Sequence, residues 1–277
     1  MRSKDISINK ITIVILGSKG MLGKNVSNYF EKKNKILKFE KKFTHSSFLK
    51  LLKKLNTNKP SIIFNCIGKI PQKCTDIKKM NFSNYQIPKL LKKNLDSKHL
   101  LVHPSTDCVF SGNLKKGMYS KFQKPDAKDI YGNTKSLGEK ILLKRPNTLI
   151  IRVSIIGKNF VTKKNLLTWF LLSKNKIYGY NNHYWNGITT LEWCKKVKHI
   201  IKNNNFKKKT ALYQLGTKKS YSKLEMLQIF KKIFKKNIDI ISIKKEFKNR
   251  CLKPDLFSSS LSSQLKEFKS QKYFKEL

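Results

Sequence analysis

Acidic residues are scarce in this chain: 16 Asp and Glu stand against 61 Lys and Arg in 277 residues, a formal charge of +45. Long apolar runs are missing too. No stretch approaches the roughly 18 residues of a membrane-spanning helix, and the polar residues 1–10 lack the apolar core of a signal peptide. Five cysteines (Cys66, Cys74, Cys108, Cys194, Cys251) are scattered, odd in number and without a Cys-x-x-Cys pair. That excludes a disulfide framework and a cysteine zinc site, and suits a reducing, cytoplasmic compartment. The five histidines show no metal-ligand spacing, so no metal is expected. Internal repeats and low-complexity domains are absent as well.

A basic excess points to nucleic acid or an anionic surface when it is gathered into an arm or stripe. Here the lysines run through every segment, and Lys, Asn and Ile are abundant together. That is the pattern of compositional drift, and no nucleic-acid partner is expected. The field still attracts phosphorylated ligands, less so as salt rises.

At this length the chain holds one large α/β domain, or a larger lobe with a small one. Residues 11–16 (Ile-Thr-Ile-Val-Ile-Leu) read as a strand buried on both faces of a parallel sheet. The run enters Gly17-Ser-Lys19-Gly20-Met21-Leu22-Gly23 and then a helical pattern through Phe30. Glycines so spaced allow a tight turn, close approach of backbone to a pyrophosphate, and close helix–strand packing. The helix N-terminus adds amide donors and partial positive charge. Residues 35–40 read as a second strand, past which a coenzyme's adenosine ribose is met; an acid there favours NAD and bases favour NADP. Glu40 followed by Lys41 and Lys42 is a mixed signal that leans to NADPH, with NADH as the alternative. A third strand over 61–68 carries Asn65, Cys66 and Ile67 towards the same groove.

Further helices are expected over 46–55, over 81–95 with Pro88 kinking it or marking a late start, and over 221–234. Strands are expected at 100–102 and 148–153, with a sixth at 211–215. Alternation of strand and helix from 11 to 153 predicts a doubly wound parallel sheet with right-handed crossovers. The aromatic-rich remainder, 155–190 and 217–277, is assigned to a smaller lobe, with about 191–216 returning to the first domain (1–154). The Ser- and Lys-rich tail from Ser258 is expected to be loosely held.

Between the fourth and fifth strands stands Ser105-Thr106-Asp107-Cys108-Val109-Phe110-Ser-Gly112, then a helix opening on Tyr131-Gly-Asn-Thr-Lys135. Tyr131 and Lys135 lie four apart, one turn along one helix face. A phenol, an ammonium and the Thr106 hydroxyl can together deliver a proton to a carbonyl oxygen, the ammonium favouring the phenolate.

Taken together these residues resemble the extended short-chain dehydrogenase/reductases and, within them, the dTDP-4-dehydrorhamnose reductase (RmlD-like) family, over nearly the whole chain. The glycine loop, Ser105-Thr106-Asp107-Cys108-Val109-Phe110-Ser-Gly112, Tyr131-Gly132-Asn-Thr-Lys135-Ser-Leu-Gly138-Glu139, Ile151-Arg152-Val-Ser154 and Gly187-Ile-Thr189-Thr190 carry the likeness. The resemblance implies a Rossmann-like α/β fold with a C-terminal substrate-binding lobe. It implies Thr106, Tyr131 and Lys135 as the catalytic set, with Gly17, Lys19, Gly20, Met21, Leu22, Lys41, Lys42, Asn65, Cys66, Ile67 and Lys135 against an NADPH coenzyme. Asp107, Cys108, Val109, Arg152 and Trp185 would meet a nucleotide-linked 4-keto-6-deoxysugar, reduced at carbon 4 for surface polysaccharide. A homodimer is left open. Cys108 stands where the family has Tyr, and Arg250-Cys-Leu-Lys-Pro254 follows the family's Arg/Pro segment only loosely. The alternatives are an epimerase or dehydratase of the same fold and a non-catalytic NADP-binding regulatory subunit. A dehydratase needs a second acid after Asp107, where this chain has Cys108.

Overall fold

A computed structural model describes residues 11–40, 42–72, 74–158, 165–204, 206 and 208–271. The chain divides into two compact units: residues 1–105, 129–151 and 194–212 form the first, and 106–128, 152–193 and 213–277 the second.

In the first unit, β1 (Ile13–Leu16), β2 (Ile36–Phe39), β3 (Ile62–Asn65), β4 (Leu100–Pro104) and β5 (Thr148–Arg152) lie in the order β5-β4-β3-β1-β2, all neighbours parallel. The helices between them are α1 (Met21–Phe30), α2 (His45–Asn56), α3 (Ile77–Asn81), α4 (Ile87–Asn94) and α5 (Ile130–Leu142). The period of two along the strands sends Val14, Leu16, Ile63, Leu101 and Ile150 into one core with Phe48, Leu52 and Leu55 of α2, Leu90 and Leu91 of α4, and Leu142 of α5. Phe64 turns the opposite way, where its ring lies 5.4 Å from Phe30 of α1. Apolar layers on both faces explain why these strands read as continuous apolar runs.

The helix expected over 81–95 begins earlier, at Ile77, where Asp76 accepts the Lys79 amide at 3.0 Å. Pro88 instead stands in the first turn of the α4 segment, the late start that was the alternative to a kink. A π-helical turn (Phe82–Gln86) joins α3 to α4, so the Ile87 amide reaches back five residues to Phe82. The wider turn relieves the clash a proline ring makes with the carbonyl four residues before it, here that of Asn84. Asn84 lies in this turn and is buried. Its amide exchanges hydrogen bonds with both backbone groups of Lys69 (2.9 Å each) and donates to Thr134 of α5 at 3.3 Å.

In the second unit β6 (Ile155–Ile156) pairs in parallel with β9 (Ile188–Thr189), and α6 (Leu166–Leu172) precedes β7 (Lys176–Tyr180). Helix α7 (Thr190–Asn203) and strand β10 (Thr210–Thr217), wider than the expected 211–215, each have residues in both units. β8 (His183–Trp185) pairs with β11 (Tyr221–Ser222) and β13 (Lys248–Asn249), β7 with β12 (Asp239–Ile243), and the end of β10 with β14 (Leu256–Ser258). The predicted helix at 221 starts at Lys223 (α8, Lys223–Phe234), because Ser222 caps it with Glu225 in a reciprocal capping box. Residues 106–128, which the strand–helix alternation assigns to the first domain, group with the second. Phe110 stacks on Tyr119 at 4.2 Å, and Tyr119 and Asn113 bridge to Leu252 and Asn249. The tail after Ser258 is not loose as far as Ser270. It folds into α9 (Leu261–Ser270), whose Leu261, Leu265 and Phe268, spaced four and three apart, are fully buried.

Gly138 of α5 crosses the π turn so closely that a Cβ would meet the Asn84 carbonyl at 2.3 Å and the Pro88 ring at 3.1 Å. Gly138→Ala is therefore expected to destabilise the protein by about 1–3 kcal/mol through overpacking, despite alanine's helix propensity being better by about 1 kcal/mol. Urea denaturation compares the two proteins.

Candidate active site

The glycine loop is built by backbone contact. Gly17 takes φ +79°, and a Cβ there would sit 3.1 Å from the Cys66 carbonyl oxygen and the Ile67 nitrogen; one on Gly23 would lie 2.3 Å from the Gly17 carbonyl. The amides of Gly17 and Ser18 donate to Phe39 O at 2.9 and 3.3 Å, tying the loop to the end of β2. Gly20 is the N-cap of α1 and brings no side-chain cap, which leaves the first helix amides to a ligand. Met21 and the buried Leu22 open that helix. Exposed Lys19 pairs with Glu40 at 3.0 Å, and both line a cavity of about 470 Å³ with Lys38, Phe39 and Phe43. Lys42 is exposed beyond β2, and Lys41 lies outside the described residues. The cradle, the bare helix end and the charged recess fit a dinucleotide.

Asn65 ends β3. Its side chain is only 1% exposed, and Nδ2 lies 3.1 Å from His103 Nδ1 on the neighbouring strand. Burial, helped by the Lys135 charge, holds His103 well below its usual range. The edge that meets the glycine loop is the backbone of Cys66 and Ile67; burial pushes the Cys66 thiol up to about 12.

Helix α5 starts at the Asp129 N-cap, whose carboxylate accepts the Gly132 amide at 2.9 Å. Tyr131 is half-buried and Lys135, one turn on, is 6% exposed. Lys135 Nζ donates to the Pro104 carbonyl at 2.7 Å, and one turn further Glu139 accepts the Ser105 hydroxyl at 2.7 Å. Consecutive residues at the end of β4 thus grip the helix twice. Burial lowers the Lys135 pKa to about 8, with Glu139 and Cys66 opposing the shift. Lys135 remains an ammonium at neutral pH and loses its charge as pH rises through 8.

In the second unit, Thr106 opens a 3₁₀ turn (Asp107–Val109). Thr106 Oγ1 accepts the Cys108 amide at 3.1 Å and donates to Asp107 Oδ1 at 3.0 Å. The Cys108 thiol lies 3.7 Å from the same oxygen and accepts from Arg250 at 3.4 Å. Burial raises the Asp107 pKa, with Arg250, the Thr106 hydrogen bond and Lys223 pulling the other way. Three expected substrate residues have side chains absorbed by packing instead. Val109 is fully buried in a cluster with Phe110, Tyr119 and Leu252. Arg152 donates to Lys121 O at 3.1 Å and lies 5.2 Å over the Phe110 ring. Trp185 is 4% exposed, with Gly187 leaving room beside its ring; the exposed aromatic of β8 is Tyr184. Alternation along β8 sends one ring inward and the next outward, and that phase is not visible in the residue types.

Lys223 escaped the sequence reading. It is the first residue of α8, where the positive helix end disfavours a cation. That misplaced charge was the available signal. Lys223 also lines a cavity of about 580 Å³ with Lys174, Lys176, His183, Trp169 and Tyr178.

Because Glu139 supports the Lys135 charge, Glu139→Gln is expected to move the Lys135 midpoint further down from about 8. An NMR titration of ¹³Cε-labelled lysine measures the shift; an unchanged midpoint would contradict the assignment.

Comparison with known proteins accords with this geometry. The profile of the RmlD substrate binding domain family matches residues 11–263. No curated protein matches the chain. Among solved structures, dTDP-4-dehydrorhamnose reductase from Bacillus anthracis in complex with NADP superposes with a TM-score of 0.78 at 19% identity, covering 94% of this chain and 98% of that one. The Clostridium acetobutylicum reductase gives 0.79 at 19% identity (93% and 98% covered). The B. anthracis dTDP-glucose 4,6-dehydratase in complex with NAD gives 0.74 at 15% identity (96% and 99%). These likenesses establish an α/β fold shared by reductases and dehydratases, and the matched profile spans nearly all of the sequence. The chain belongs to the RmlD substrate binding domain family.

Proposed function

We propose that the protein is an NAD(P)H-dependent oxidoreductase that reduces the 4-keto group of a nucleotide-linked 4-keto-6-deoxysugar, in the manner of dTDP-4-dehydrorhamnose reductase. The observation that carries the reading is Lys135: a buried ammonium gripped by the end of β4, one helical turn from Tyr131, in a unit whose glycine loop is shaped for a dinucleotide.

The bound coenzyme supplies the hydride. The chain's own part is alignment and proton delivery. Gly17, Gly20 and the first amides of α1 take the pyrophosphate, Lys19 and Lys42 favour the extra phosphate of NADPH, and Glu40 leaves NADH as an alternative. Tyr131 gives its phenolic proton to the keto oxygen, Thr106 hydrogen-bonds that oxygen, and the Lys135 charge stabilises the phenolate left behind. Asp107 and Cys108 lie on the sugar side. By the family resemblance the product feeds surface polysaccharide, and a cytosolic site fits the scattered, odd-numbered cysteines. Among the described residues no helix is long and apolar enough to cross a membrane.

A 4,6-dehydratase shares the fold, but Cys108 follows Asp107 where that chemistry needs a second acid. A regulatory subunit would not need the buried Lys135.

The test is transfer of deuterium from 4-labelled NADPH into a panel of dTDP- and UDP-4-keto-6-deoxyhexoses. Label is expected at sugar carbon 4, and Tyr131→Phe should lower the rate by about a hundredfold or more while coenzyme affinity is kept. Tight NADPH binding with no transfer to any sugar would overturn the reductase and favour the regulatory subunit.

A further inference from the structure

The Thr106 hydroxyl has one hydrogen and two lone pairs, and the structure spends most of them. One lone pair accepts the Cys108 amide at 3.1 Å, and the hydrogen points to Asp107 Oδ1 at 3.0 Å. When Asp107 is a carboxylate, Thr106 therefore has only a lone pair left. It can accept from a sugar hydroxyl but cannot donate to a ketone. When Asp107 carries a proton, the acid donates to Thr106 Oγ1, both lone pairs are used, and the Thr106 hydrogen is released toward the substrate. We infer that Asp107 is a proton-switched positioning residue that decides whether Thr106 meets the substrate oxygen as a donor or as an acceptor. The inference rests on the reductase reading, in which that oxygen is a ketone before the reaction and an alcohol after it.

The surroundings are suited to such a switch. Asp107 is 8% exposed, and burial favours its neutral form. Against that, Arg250 and the half-buried Lys223 favour the carboxylate. The Cys108 thiol lies 3.7 Å from the same oxygen that Thr106 addresses, and Cys251 lies close enough for Asp107 to affect its titration. Lys223 thus acquires a reason for its place at a helix start. The departure from Tyr at position 108 likewise puts a small thiol between Arg250 and Asp107.

The experiment is the pH dependence of kcat/KM for the keto sugar and of the affinity for its alcohol product, in the wild type, Asp107→Asn and Lys223→Met. In the wild type, kcat/KM for the ketone should fall by about tenfold, the value of one hydrogen bond, as Asp107 ionises, while product affinity rises over the same pH interval. Asp107→Asn keeps an amide donor facing Thr106 and cannot ionise, so whatever its rate at low pH it should lose that limb and the matching rise in product affinity. Lys223→Met removes a cation facing Asp107 and should move the limb to higher pH. An Asp107→Asn pH profile that keeps the wild-type limb, at whatever absolute rate, overturns the switch alone. Absence of hydride transfer in the wild type, measured first, overturns the reductase reading and the switch with it.

Discussion

Two hydrogen bonds from consecutive residues at the end of β4 anchor helix α5 in the first unit: Lys135 Nζ to the Pro104 carbonyl and the Ser105 hydroxyl to Glu139. They join one strand terminus to two successive turns of α5, so the helix can neither rotate nor slide without breaking both. Lys135 is buried because of this grip, and burial is what brings its pKa down to about 8. The same helix is held from the other side by Gly138 against the π turn and by Asn84 on Thr134. Pro88, which would break a regular helix, and Gly138, which lets the helices close up, are thus parts of one arrangement. The position of Tyr131 follows from it.

In so basic a protein the few acids carry much of the local order. Asp76 and Asp129 cap α3 and α5, and Glu225 closes the capping box of α8. Asp126 holds Ser111 through its amide and its hydroxyl, and Asp255 pairs with Lys121 at 2.6 Å. Each satisfies backbone donors or a neighbouring cation at a site where lysine would only add repulsion. Asp107 differs in kind: it is buried, it faces two cations, and its hydrogen-bond partner is the Thr106 hydroxyl.

Much of the first unit was legible from residue order, because its signals are local. The expected strands at 11–16, 61–68 and 148–153 are rich in β-branched residues, the second ending sooner in the structure, at Asn65, and glycine spacing reports backbone contact directly. The spacing of four placed Tyr131 and Lys135 one turn apart on a helix, as α5 has them. Harder to see were features that depend on what lies opposite. The π turn before Pro88 answers a helix some fifty residues away, and α9 exists because Leu261, Leu265 and Phe268 find a core to enter. Val109, Arg152 and Trp185 sit beside or within family motifs, yet their side chains face inward.

By itself, then, the sequence determined the α/β alternation, the glycine turn, the helix carrying Tyr131 and Lys135, and the family. Each of these is written in neighbours a few residues apart, where sterics and periodicity act directly. Tertiary structure alone decided protonation and orientation: a lysine whose pKa burial lowers to about 8, a histidine held below its usual range, a threonine hydroxyl already engaged by an amide and a carboxyl. Those properties depend on desolvation and on partners distant in the chain, such as Pro104 for Lys135, Asn65 for His103, and Arg250 and Lys223 for Asp107.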